Sequence, residues 1–285
     1  MVVREWHDSE FPDIFPYHYE NFPKVFQRYV DRPLSYNVNS DGFRSNFEFH
    51  RRKEKEVDIF LGCSHTFGIG HYEEEVWTSI VSNYTGNTSV NLGMPSTGTG
   101  THYYSLLQYI DHYKVRNVFM FAPIVPRYSY FDEYFTHRTF NPLWPEAWKM
   151  QQPFTEGYLQ YVAIDHRSIY LNHLQFLHAI AHLAQSRGAN LYYKHTFPTR
   201  TYRRYIEYDR DSPNGPKIMS IDGDFPYGDY TLPRDGAHMS VEDMNQIGTD
   251  MVHLLNTHEK GYIEPIPYID KIFPKKNLQD PLQQW

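Results

Sequence analysis

The chain has 285 residues, 40% of them hydrophobic, and a single cysteine, Cys63. That is enough apolar material for a sizeable core, and one cysteine excludes an internal disulfide framework. A formal net charge of −7, with no basic run interleaved with aromatics, argues against nucleic acid as a partner.

The first residues, Met1 to Asp8, lack the apolar core of a signal peptide. No stretch reaches the roughly 20 apolar residues of a membrane span. The expectation is a soluble, cytoplasmic protein with no membrane partner, virion association or non-classical export being left open.

Residues 1–55 are rich in Pro, Tyr and Phe without a long helical period, and read as an extension that wraps the domain. Within it, Asn39-Ser40-Asp41-Gly42 is a turn signal, with Gly42 suited to positive φ. From residue 56 the pattern changes. Val57 to Gly62 is a short apolar run ended by glycine, as expected of a buried parallel strand. Val76 to Asn83 suits a helix, Ser89 to Met94 a second strand, Thr99 to Tyr113 a helix, and Asn117 to Ala122 a third strand. Residues 123–157 form an aromatic excursion. Ser168 to Arg187 carries an apolar stripe of Leu171, Leu174, Leu177, Ile180, Ala181 and Leu183, closed by Gly188. Asn190 to His195 is the next strand, and 197–234 a polar loop region. Ser240 caps a last helix to about His258, with Asp243 completing a capping box. The Pro-rich tail, 261–285, is expected to be extended. The domain proper is thus 56–260. Its alternating strands and helices imply a parallel sheet covered on both faces, with the site at the carboxyl ends of the strands.

Ser64, Gly93 and the loop at 123–127 each follow a strand and would meet at that edge. A serine nucleophile needs a base, a carboxylate to orient the base, and donors for an oxyanion. Asp235-Gly236-Ala237-His238 can supply base and carboxylate, because a turn of this length brings its ends within about 7 Å. Cys63 is the less favoured nucleophile. Cys63, His65 and His71 cluster in sequence but match no zinc spacing, so no metal and no other cofactor is expected.

These residues resemble the SGNH, or GDSL-like, hydrolases. The first motif of that family is matched by Gly62-Cys63-Ser64-His65-Thr66-Phe67-Gly68, its second by Asn91-Leu92-Gly93, and its last by Asp235-Gly236-Ala237-His238. Asn39-Ser40-Asp41-Gly42-Phe43-Arg44 looks like the lead-in of some bacterial and phage members. The resemblance implies a three-layer α/β/α sandwich around five parallel strands, and hydrolysis of carboxylic esters, including O-acetyl groups on carbohydrate. It makes Ser64 the nucleophile, His238 the base, Asp235 its orienting carboxylate, and the N–H groups of Ser64 and Gly93 oxyanion donors. The chain departs from the family twice. Cys63 stands where an aspartate is usual, and Ala122-Pro123-Ile124-Val125-Pro126-Arg127 replaces the Gly-x-Asn-Asp motif that supplies a third donor. Arg127 can take that place or bind an anionic substrate group. The alternative is a non-catalytic SGNH-like binding or assembly module, whose protein partner would use the 123–157 segment or the tail.

Overall fold

The computed structural model describes residues 2–5, 23–49, 55–122, 127–131, 137–140, 166–195 and 238–257. Its centre is a sheet of parallel strands: β3 (Glu56–Gly62), β4 (Thr88–Asn91), β5 (Lys114–Ala122) and β8 (Asn190–His195), in the order β4-β3-β5-β8. Among the described residues the sheet therefore has four strands, not the five that the family resemblance implies. Strand β4 is shorter than its apolar run suggests. The backbone continues alongside β3 all the same, with Leu92 N–H donating to the Phe60 carbonyl (2.9 Å) and Met94 N–H to the Gly62 carbonyl (3.0 Å).

Every residue of β3 from Val57 onward is buried, so its two faces meet two different cores. Val57, Ile59 and Leu61 join Val118, Met120 and Leu191 beneath helices α4 (Thr99–Tyr109) and α5 (His166–Ser186). Phe60, Phe119, Phe121 and Tyr192 face α3 (Trp77–Thr85) and α6 (Val241–Thr257), which contribute Trp77, Val81, Met244, Ile247 and Met251. On that face the rings stack across the strands, Phe60 on Phe119 at 5.3 Å and Phe119 on Tyr192 at 5.1 Å. Such cross-strand pairs hold register as well as area. At the other end of the sheet, buried Asp58 accepts from Thr85 Oγ1 (2.7 Å), Asn87 Nδ2 (3.1 Å) and Asn117 Nδ2 (2.8 Å).

Ser240 caps α6 as its sequence predicts: Asp243 N–H donates to Ser240 Oγ (3.1 Å) and Ser240 N–H returns to Asp243 Oδ2 (3.0 Å). The N-terminal segment holds more regular structure than its composition suggests. Strand β1 (Val2–Glu5) pairs antiparallel with β2 (Ser35–Val38), and between them lies α1 (Pro23–Asp31). This two-turn helix is too short to stand on propensity. It is held by burial of Phe26 and Tyr29, and by Arg28, which forms an ion pair with Glu75 and lies 4.9 Å over the Tyr72 ring. Phe43 and Phe49, further along, enter the main core. Within the aromatic excursion two short strands, β6 (Tyr128–Phe131) and β7 (His137–Phe140), pair antiparallel; the rest of 123–157 apart from Arg127, and the tail, lie outside the described residues. No helix among the described residues is long and apolar enough to cross a membrane.

Candidate active site

Ser64 opens a single helical turn, α2 (Ser64–Phe67), directly after β3. The turn is closed by Thr66 and Phe67 N–H groups donating to the Cys63 carbonyl (3.0 and 2.9 Å), and by Gly68 N–H to the Ser64 carbonyl (2.8 Å). Ser64 is 6% exposed. Its Oγ meets Cys63 Sγ at 3.9 Å, a weak contact.

Gly93 lies against this turn. A side-chain carbon there would sit 2.6 Å from the Phe67 nitrogen, so only glycine allows the approach. Asn91 seals the junction, its Nδ2 donating to the Thr66 carbonyl (2.7 Å) while its Oδ1 accepts the Gly93 N–H (2.9 Å). The Gly93 N–H, expected as an oxyanion donor, is thus engaged by Asn91 and would have to leave it to bind a ligand. Asn91 is a site residue that the sequence reading does not single out, although it is a buried polar group in the Asn91-Leu92-Gly93 motif.

His238 stands just before α6. Its ring lies 5.2 Å from that of His65, the neighbour of Ser64, and His65 in turn packs edge-on to Phe121 at 6.2 Å. Ser64 and His238 share no hydrogen bond, though apo sites often close such bonds only on binding substrate. A second tie joins the two segments. Fully buried His71 meets the Met239 carbonyl through Nε2 at 2.8 Å, across 168 residues of sequence. A carbonyl only accepts, so His71 carries its proton on Nε2 and is committed to this bond. Among the described residues no cluster of three or more His, Cys, Asp or Glu could hold a metal ion. Asp235 lies outside the described residues.

Arg127 approaches from the opposite side. Its backbone crosses Gly98, its Nη1 donates to the Thr97 carbonyl (3.3 Å), and its buried Nε has no hydrogen-bond partner among the described residues. Beside it His102 is completely buried. The Thr97 hydroxyl gives its one proton to the Met94 carbonyl (2.6 Å), so it accepts from His102 Nε2 (3.1 Å). Burial, and then the charge of Arg127, push His102 down to about 3, which keeps the ring neutral.

Among the described residues the sheet order is that of the first four strands of a flavodoxin-like doubly wound fold. The serine turn follows the first strand of this sheet, the Asn-Leu-Gly motif the second, and the histidine precedes the last helix. The fold is a parallel α/β fold. No protein-family model matches the chain, and no curated protein matches it. Among solved structures it is similar to a protein of Desulfitobacterium hafniense DCB-2 assigned to the G-D-S-L lipolytic family, at 14% identity and a TM-score of 0.41, over 69% of this chain and 97% of the other. The chemistry of the site rests on this chain's own residues.

Proposed function

We propose that the protein is a serine hydrolase of carboxylic esters, O-acyl groups on carbohydrate among them, with Ser64 as nucleophile, His238 as base and Asp235 as the carboxylate that orients it. The observation that carries this reading is the 5.2 Å approach of the His238 ring to the ring of His65, the residue next to Ser64. In the reaction His238 takes the Ser64 proton as Oγ adds to the ester carbonyl. The imidazolium then protonates the departing alkoxide, leaving an acyl-serine. Water repeats the cycle, releasing the carboxylic acid and restoring Ser64. The oxyanion would be met by the Ser64 N–H and by Gly93, once its N–H turns from Asn91. The Arg127 guanidinium suits either the oxyanion or an anionic group on the substrate, since its Nε has no acceptor among the described residues.

A non-catalytic SGNH-like module is the second reading. It is favoured by the missing Ser64–His238 hydrogen bond and by the engaged Gly93 N–H. Reaction with a fluorophosphonate separates the two. The hydrolase reading expects stoichiometric labelling on Ser64 and turnover of short acyl esters. Folded protein that neither labels nor cleaves them would overturn it.

A further inference from the structure

Arg44 is 5% exposed, and no carboxylate among the described residues forms an ion pair with it. A lone buried guanidinium is expensive unless every face of it finds a partner. All of its hydrogen bonds go to the loop that follows Ser64. Nη1 donates to the carbonyls of Phe67 (3.1 Å) and Gly68 (2.7 Å), and Nη2 to that of His71 (3.0 Å). The Tyr36 ring covers the cation at 4.5 Å, and the Tyr36 hydroxyl accepts the Gly70 N–H at 2.8 Å. Arg44 reaches this position because the Asn39–Gly42 turn delivers it: Asn39 Oδ1 accepts the N–H groups of Asp41 (3.1 Å) and Phe43 (2.9 Å), and Gly42 takes φ +90°.

The same loop ends in His71, whose ring holds the Met239 carbonyl beside His238. A continuous set of bonds therefore runs from the lead-in turn through the nucleophile turn to the base. We infer that Arg44, acting through His71, is a positioning residue that fixes the separation of Ser64 and His238. The inference deepens the hydrolase reading and rests on it. A structural bolt of this kind touches no substrate, so its loss slows chemistry without weakening binding. Misplacing reacting groups by about 1 Å typically costs on the order of 10²-fold in rate. Lysine is a poor replacement, because a single ammonium cannot span three carbonyls in a fixed fork.

The test compares the full-length protein with Arg44→Lys and Arg44→Met for melting temperature, fluorophosphonate labelling rate, and kcat and KM on p-nitrophenyl acetate. The Nε2–H proton of His71 is followed by NMR. Positioning predicts that a folded variant loses about 10²-fold in labelling rate and kcat together, at unchanged KM, and that the protected His71 proton signal disappears. A folded variant that labels within threefold of the parent and keeps that signal overturns the inference. If neither arginine variant folds, His71→Phe breaks the set one link further on and is judged by the same rates. A parent protein that never labels overturns the hydrolase reading instead. The His71 signal in Arg44→Lys then decides the bolt alone.

Discussion

On the side of Ser64 that faces the following loop, backbone oxygens are tied down one by one. The carbonyl of Thr66 accepts from Asn91, those of Phe67, Gly68 and His71 from Arg44, and that of Met239 from His71. Two buried side-chain atoms here, Asn39 Nδ2 and Thr66 Oγ1, have no hydrogen bond among the described residues. On the opposite side, around Thr97, Gly98 and Arg127, a donor is left over: Arg127 Nε is buried and has no hydrogen-bond partner among the described residues. Folded proteins satisfy nearly all buried polar atoms. A flank whose carbonyls are bonded in series, beside one where a buried guanidinium keeps an N–H unused among the described residues, separates two tasks. The first flank positions, and the second has capacity left to receive a ligand.

The most severe way to test that division is Ser64→Ala. It should abolish fluorophosphonate labelling and lower ester turnover by at least about 10³-fold, with the melting temperature nearly unchanged, since the hydroxyl contributes only a weak contact to sulfur. Turnover that survives the substitution would move the chemistry away from this turn.

Next in size is Gly93→Ala, which strikes the positioning flank from the β4 side. The added methyl meets backbone atoms, the Phe67 nitrogen at 2.6 Å and the Thr66 carbonyl carbon at 2.8 Å, and backbone cannot swing aside. The expected cost is about 1–3 kcal/mol of stability and on the order of 10²-fold in labelling rate, read by thermal unfolding and probe kinetics.

Arg127→Met addresses the receiving flank. A charge-assisted hydrogen bond is worth about 1.5–3 kcal/mol, so KM for an ester carrying a carboxylate should rise about 10- to 100-fold while KM for a neutral acetate ester stays put. A fall in kcat on both esters, with KM unchanged, would instead make Arg127 an oxyanion donor.

How far the sequence reveals these flanks follows from the range of the contacts. The strand and helix alternation from residue 56 onward is legible because buried strands are continuous apolar runs and the helices carry periodic stripes. The cap on α6 is legible because Ser240 and Asp243 lie within one turn. By contrast α1 is fixed by Phe26, Tyr29 and an ion pair from Arg28 to Glu75, 47 residues away, so nothing local announces it. The same reason hides the site's scaffold. The lead-in is recognisable as a turn, but the loop that Arg44 holds is 23 to 27 residues further on, and His71 meets Met239 across 168. Ser64, Gly93 and His238 can be picked out as motif residues. The side chains that set their geometry cannot.

The smallest effect concerns the receiving flank's buried histidine, and it appears as a pH dependence. The folded protein holds His102 at about 3, whereas the unfolded chain titrates it near the ordinary 6.5. Above pH 6.5 neither state carries this proton, so the ring adds no pH dependence. As pH falls from 6.5 toward 3, the unfolded state binds a proton that the folded state refuses, and stability is lost. The slope attributable to this one group is at most about 1.4 kcal/mol per pH unit. His102→Gln keeps a donor for Thr97 and cannot titrate. Urea unfolding between pH 7 and 4 should therefore show the parent losing stability faster than the variant, by up to that slope. Parallel curves would mean that His102 protonates in place, with water or a further acceptor reaching Nδ1.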